Sequence, residues 1–300
     1  MKQTLEPTAV APPPMPDGIS APAEIDNRTI GRILRDMGKL SAADEPRVFR
    51  LHREKSIRFG EAARLLRLVS NADIQYALSV QFGMPYVYGA PGALGEDLAA
   101  ALDPFDPQLE ALRNLRTQLL LNWFGEDRRV LALVSIDHAD GRSYIAANLA
   151  VMFAQAGERT LLIDADLRNP RQHRIFRLIA GRGLAHSLQA RAMNSDVQRV
   201  PYFENLFILP AGAVPPNPSE LLSRPALATL LKQAAREFSV VLIDTSAALR
   251  GSDAQLVATR ARGALLVARN NRTRLGPLRE MQESFGRSGV QVAGAVLNRY

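Results

Sequence analysis

The apolar positions of this chain fall into two rhythms. From Arg28 to about Val87 they recur at helical spacing, as in Val48 and Leu51 or Ala77 and Leu78. Each pair follows a Ser-x-x-Asp signature, Ser41 to Asp44 and Ser70 to Asp73, in which a hydroxyl caps a helix and the acid three residues on answers it. The two stretches match at an offset of 29 residues, Gly31 with Gly60, Arg35 with Arg64, Ser41 with Ser70 and Asp44 with Asp73. This internal repeat predicts a small helical domain over 27–88. From Pro107 onward the rhythm changes to short, continuous apolar runs: Val130 to Ser135, Thr160 to Asp164, Val240 to Asp244, Ala264 to Ala268 and Val292 to Leu297. Helical patterns lie between them at Gly141 to Ala156, Pro218 to Arg236 and Leu275 to Phe285. Unbroken apolar strands alternating with helices predict an α/β domain over 107–300, a parallel sheet with helices on both faces.

Composition adds boundaries and exclusions. Residues 1–26 hold six prolines and few large apolar side chains, so they read as a disordered tail. The Gly- and Pro-rich stretch 89–106 reads as a linker. No apolar run approaches the ~20 residues of a bilayer helix, and no basic cluster followed by an apolar core marks a secretory signal. A cytoplasmic location is therefore expected. With no cysteine among 300 residues, disulfides, thiolate metal sites and cysteine nucleophiles are excluded. The net charge of +7 comes from 37 basic residues, of which only Lys2, Lys39, Lys55 and Lys232 are lysines. The arginines form no run of five, so nucleic acid is not expected, whereas an anionic membrane surface or an acidic partner stays open. The four histidines lack metal-ligand spacing, and Trp123 and Phe124 with Leu119 to Leu121 read as core or a subunit contact.

The chemistry gathers after the strands. Val134-Ser-Ile-Asp-His-Ala-Asp-Gly141-Arg142-Ser143 joins a strand to a helix, where a phosphate-cradling loop belongs. Gly141 and Ser143 fit such a loop, Arg142 stands in the lysine place, and His138 and Ala139 replace an earlier glycine. Leu161-Leu-Ile-Asp164-Ala-Asp166-Leu-Arg168-Asn-Pro170 puts two carboxylates at a strand end, and Asp244 ends another. Magnesium bound through one or two of these acids and substrate phosphates would relieve their repulsion. The alternative is that each acid caps the helix that follows.

These residues resemble the bacterial tyrosine kinases (BY-kinases) of polysaccharide export and chain-length control, relatives of the MinD and ParA type of P-loop ATPase. The resemblance spans roughly 107–300, and its most specific elements are the LLIDADLRNP run and Pro215-Pro-Asn-Pro-Ser-Glu-Leu-Leu222. It implies a P-loop fold in which Asp140, Gly141, Arg142, Ser143 and Tyr144 hold ATP or ADP. Ser143, Asp166 and Asp244 would hold Mg2+, Asp164, Asp166 and Arg142 would be catalytic, and Asn298 would read the adenine. Glu110, Arg113 and Arg116 match the helix motif through which such kinases pack into rings; read as a helix, they are also a ladder of i, i+3 charge pairs. A membrane-spanning chain-length protein is the implied partner, which would hold the protein at the inner membrane. The expected activity is transfer of phosphate to tyrosine, with Tyr300 as the candidate phosphosite. Two departures favour the competing expectation of a weak or inactive scaffold: no lysine lies between Lys55 and Lys232, and no tyrosine between Tyr202 and Tyr300. The missing lysine also argues against a MinD-type positioning ATPase. The repeat resembles the N-terminal domain of type II secretion and type IV pilus assembly ATPases, with blocks Thr29 to His52 and Arg58 to Gln81 spaced by residues 53–57. That resemblance implies binding of cyclic di-GMP or docking of an assembly protein, although Thr29, His52 and Arg67 depart from its pattern.

Overall fold

The computed structural model describes residues 29–82, 87, 94–102, 106–179, 181–190 and 196–299. The expected tail, much of the expected linker and Tyr300 lie outside them. The chain divides into two compact units, one drawn mainly from Pro12–Pro91 and one from Asp106–Tyr300 with Gly92–Ala100.

The first unit is helical: α1 (Ile30–Asp36), α2 (Glu45–Lys55), α3 (Phe59–Leu65) and α4 (Asn71–Gln81). Its core repeats with the sequence. Ile33, Leu34, Leu40 and Val48 of the first copy and their partners Ala62, Ala63, Val69 and Ala77 of the second are all buried in one cluster. Helix α1 packs on α4 and α2 on α3. In both copies the residue after the short helix's C-cap is left-handed, Gly38 at φ 69° and Arg67 at φ 57°. Glycine accepts that conformation freely, and arginine holds it at a steric cost. The Ser70–Asp73 box forms as the sequence predicts, with the Ser70 hydroxyl accepting the Asp73 N–H and the Asp73 carboxylate accepting the Ser70 N–H at 2.7 Å. Its counterpart differs. Ser41 accepts the Asp44 N–H at 3.2 Å, but the helix begins only at Glu45. Pro46 lacks the N–H that would close a turn onto Ala42.

The second unit, which shares the short α5 (Ala99–Leu102) with the first, comprises α6 (Glu110–Asn122), β1 (Val130–Ser135), α7 (Arg142–Gln155), β2 (Thr160–Asp164), α8 (Gln172–Ile175), α9 (Leu184–Ala190), β3 (Gln198–Arg199), β4 (Leu206–Leu209), α10 (Pro218–Ser223), α11 (Pro225–Glu237), β5 (Val240–Asp244), α12 (Asp253–Ala261), β6 (Gly263–Arg269), α13 (Leu275–Arg287) and β7 (Gln291–Asn298). The strand order is β3-β4-β2-β5-β1-β6-β7, all parallel except β3, which runs antiparallel to β4. Leu131 to Val134, Leu161 to Ile163 and Val240 to Ile243 have no exposure, as expected of strands covered on both faces. Ala132, Val134, Leu161, Ile163, Val241 and Ile243 share one cluster with side chains of α9 to α13. The strand residues between them point the other way, where α7 packs on β1, β2 and β5. Helix α7 is buried almost all round, and its Asn148 takes the Ala100 N–H at 2.8 Å and donates to the Asp97 carbonyl. Residues 97–100, inside the stretch expected to be linker, are thus packed on α7.

One expected helix, Pro218 to Arg236, is two. Arg224 is extended (φ −63°, ψ 148°) because the ring of Pro225 disfavours helical geometry in the residue before it.

Candidate functional site

Strand order brings the C-terminal ends of β2, β5 and β1 side by side, and the register sets Asp164 opposite Asp244 and Asp244 opposite Leu133. Neighbouring strands are about 4.8 Å apart. The loops after these three strands therefore meet over two buried carboxylates.

The loop after β1 runs into α7, whose first N–H groups have no partner within the helix and point towards any bound anion. Gly141 stands at φ 95°, and a Cβ there would lie 2.1 Å from the Asn298 amide nitrogen, so only glycine fits. Where the family pattern has an earlier glycine, Ala139 is left-handed at φ 64°. Other residues hold the turn. Asp140, fully buried, accepts the Asp137 N–H at 2.9 Å and the Thr273 hydroxyl at 3.1 Å. Arg269 donates to the Ala139 carbonyl at 3.2 Å, and Asn298 donates its amide to the Asp140 carbonyl at 3.0 Å. Asn298, expected to read a base, thus ties the end of β7 to the turn after β1.

Arg142 does not extend along the loop. It is 5 % exposed and turns beneath it, donating through Nε to the Thr245 carbonyl at 2.6 Å and through Nη1 to the Ser135 hydroxyl. Its guanidinium lies 3.6 Å from Asp166 Oδ2 and 3.7 Å from Asp244 Oδ1. It thus supplies positive charge to two of the three acids.

Asp164 Oδ2 accepts the N–H groups of Arg171 and Gln172 at 3.1 and 3.0 Å, and Oδ1 that of Asp166 at 3.2 Å. Burial first, then Asp244 and Asp166, push its carboxyl well above the usual range, against those amides. Burial also raises Asp244, opposed by Arg142 and by hydrogen bonds from Gln172 and Ser143. Asp166 Oδ1 accepts the Asn169 N–H at 3.0 Å, which shapes the turn after β2. Arg168 of the same run forks onto Asp253 at 2.6 and 3.3 Å and reaches the Ser219 hydroxyl at 3.0 Å. One buried carboxylate, Asp253, thus ties together the two segments singled out as distinctive in the sequence.

Gln172 carries no sequence signal, yet it bridges the site. Fully buried, it donates through Nε2 to Asp244 Oδ2 at 2.7 Å and to the Ser143 carbonyl at 3.2 Å. Asp244 Oδ1, Ser246 Oγ and Gln172 Oε1 are buried and make no hydrogen bond. Such polar atoms suit a hydrated cation or a polar ligand. Among the described residues no group of three or more acids and histidines could hold a metal alone. Asp166 and Asp244 beside the Ser143 hydroxyl are hard oxygen donors, a set that would suit Mg2+ if nucleotide phosphates completed its shell.

The remaining expected residues lie elsewhere. Tyr144 is in the first turn of α7, while Glu110, Arg113 and Arg116 are on α6. Arg113 pairs with Glu110 at 2.7 Å, and Arg116 turns back to the Met152 carbonyl at 3.4 Å, nearer the other end of α7. Trp123 and Leu119 are core, whereas Leu121 is 74 % exposed. A cleft of about 520 Å3 beside Trp123 lies at the opposite edge of the sheet, distant from the acids. Its Arg128 stacks on Trp123 and its Arg129 caps the Ala235 carbonyl, a structural use of both.

Comparison with known proteins gives a consistent picture, although no family model matches. The chain is 33 % identical over 190 residues to the putative tyrosine-protein kinase CapB of Staphylococcus aureus, covering 63 % of this chain and 83 % of CapB. It is 36 % identical over 207 residues to the putative tyrosine-protein kinase EpsB of Ralstonia solanacearum, covering 68 % of this chain but only 27 % of EpsB. Its fold matches the kinase domain of the Escherichia coli tyrosine kinase ETK with a TM-score of 0.64 at 31 % identity, over 67 % of this chain and 79 % of that one. The Pyrococcus furiosus cell-division ATPase MinD follows at 0.51 and 26 % identity, over 57 % and 72 %. No compared protein supports the resemblance of 27–88 to secretion ATPases or the binding of cyclic di-GMP. The chain belongs to the bacterial tyrosine-protein kinases, and its α/β unit has the P-loop fold of their kinase domain.

Proposed function

We propose that the α/β unit binds ATP with Mg2+ and transfers its γ-phosphoryl group to a tyrosine hydroxyl, in the service of exopolysaccharide polymerisation and export. The observation that carries this reading is the meeting of the Gly141–Ser143 loop with Asp164, Asp166 and Asp244 at three adjacent strand ends. The amides at the start of α7 cradle the phosphates. Ser143, Asp166 and Asp244 would hold the cation, which neutralises charge on the transferring group. Arg142 supplies the positive charge that a lysine gives elsewhere, from a planar fork already anchored by Ser135 and Thr245. Asp164, held by three backbone amides, fixes the turn that carries Asp166. Asp166, two residues further on and 5 % exposed, would take the tyrosine proton as the new O–P bond forms, the bond from the γ-phosphorus to the bridging oxygen breaks and ADP leaves. Copies of the chain associate through the α6 motif, and a membrane-anchored chain-length protein brings them to the membrane. Among the described residues no helix is long and apolar enough to cross a membrane.

A second reading, a nucleotide-responsive scaffold without transfer, is favoured by one observation: Arg142 is already engaged by Ser135, Thr245, Asp166 and Asp244. Titration of Mg-ADP and Mg-ATP, followed by phosphotyrosine detection, separates the two. Binding and tyrosine phosphorylation that both vanish in Asp166→Ala support the kinase. Binding without transfer supports the scaffold, and phosphorylation that persists in Asp166→Ala rejects the site.

A further inference from the structure

The net charge of +7 left an acidic partner or an anionic surface open, and the fold shows where that charge is displayed. The loops that leave the C-terminal ends of β2, β5, β6 and β7 expose Arg174, Arg177, Arg250, Arg272, Arg274 and Arg299. From β2 to β7 these loops span four strand spacings, about 19 Å, with the phosphate loop after β1 between them. Acids do not balance them. Among the described residues of these loops and the loop after β1, Asp140 and Asp166 are buried, and Asp253, which begins α12, is buried against Arg168. Only Asp137 is partly exposed, and it accepts the His138 N–H. Of the arginines there, Arg171 does have an acid at 3.6 Å, Asp97. The opposite edge of the sheet is different, with Glu126, Asp127, Glu158, Glu204 and Glu237 interspersed among its arginines. Three leucines stand among the C-terminal-edge arginines, Leu249, Leu275 and Leu297, at 67, 66 and 56 % exposure.

A surface on which exposed arginines outnumber acids concentrates ligands of negative charge, and exposed apolar side chains within it suit a polypeptide rather than a free ion. We infer that this edge recognises an acidic peptide segment, and that the tyrosine presented to the site is flanked by aspartate or glutamate. The inference rests on the kinase reading for the tyrosine, but the surface itself is independent of catalysis. A lipid headgroup layer would also meet the arginines. The peptide is favoured because these arginines flank on both sides the loop after β1, where the kinase reading has the phosphoacceptor enter.

The test uses the whole chain and three fluorescent peptides of equal length, each with one tyrosine flanked by glutamate, glutamine or lysine. Anisotropy should show the glutamate peptide binding about tenfold more tightly than the glutamine one, a gap that closes at high salt. Arg272→Glu with Arg274→Glu should abolish that preference, and Arg272→Gln with Arg274→Gln should reduce it, with the Mg-ADP affinity unchanged. Equal binding of all three peptides overturns the proposal. So does a preference unaltered in both variants, or salt-sensitive sedimentation with phosphatidylserine vesicles without peptide discrimination. Loss of ADP binding with the peptide preference intact would reject the kinase reading and leave the surface standing.

Discussion

The loop after β1 and the loop after β2 each fix a turn beside buried charge, and they do it with different means. The turn after β2 is held by its own backbone: three amides on Asp164 and one on Asp166, all within eight residues. The turn after β1 is held from outside. Thr273, Arg269 and Asn298, 130 or more residues away, grip Asp140 and Ala139, and Arg142 is tied to the next loop at Thr245. A local turn carries its constraint in its own sequence, since the Asp164 and Asp166 carboxylates bind amides within it. A remotely held turn tolerates alanine for glycine and arginine for lysine, since its shape is supplied by other strands.

Substitutions can break this contrast. The largest effect is expected at Asp166 and Asp164: alanine at either should lower phosphotransfer by about 10²-fold or more, measured as phosphotyrosine formed per minute. Next is Arg142→Ala, which leaves Asp166 and Asp244 buried without their cation and should cost about 3–5 kcal/mol in denaturant unfolding. Arg142→Lys should recover only part of this, because a lysine cannot donate to Ser135 and Thr245 in the same fixed fork. Thr273→Val and Asn298→Ala should each cost about 1 kcal/mol of stability and weaken ADP binding several-fold, with Thr273→Ser restoring both. A hydroxyl that merely packed would not be rescued in ligand affinity.

Acidity sharpens the comparison. The folded Asp164 carboxyl lies above its unfolded value, so its contribution to stability is full at pH below the ordinary carboxylate range. It is lost as pH rises through the raised value. The thermal midpoint of the wild type relative to Asp164→Ala should therefore fall as pH rises towards neutrality. A difference independent of pH would mean that the carboxyl is not displaced. The smallest effects belong to the left-handed residues. Ala139→Gly and Arg67→Gly should each stabilise by about 0.5–1 kcal/mol, the strain relieved less glycine's entropy.

The strands of the sheet core, the strand-to-helix turn after β1 and the acids at the strand ends were legible because continuous apolar runs ending in charge have few other readings. The helical repeat was legible for a second reason: its core positions recur with its glycines, so Leu34 and Ala63 fall at one place in two copies. What was not legible depends on partners distant in sequence. Gln172 looks like any polar residue after a proline until the fold sets it between Asp244 and Ser143. The bond from the Asn298 amide to the Asp140 carbonyl likewise depends on strand order that no local pattern shows. The short β4, Leu206 to Leu209, gave too few residues for a rhythm. Pro225 was visible, but a single proline inside an amphipathic pattern is compatible with a helix that restarts.

The grip of Asn298 on Asp140 joins positions 158 residues apart. A ribosome adding about 5–20 residues per second takes roughly 8–30 s to cover that distance. During that interval β1 and α7 exist while the clamp that shapes the turn between them does not. The turn after β1 is therefore a late product of synthesis, finished only when β7 is laid against β6.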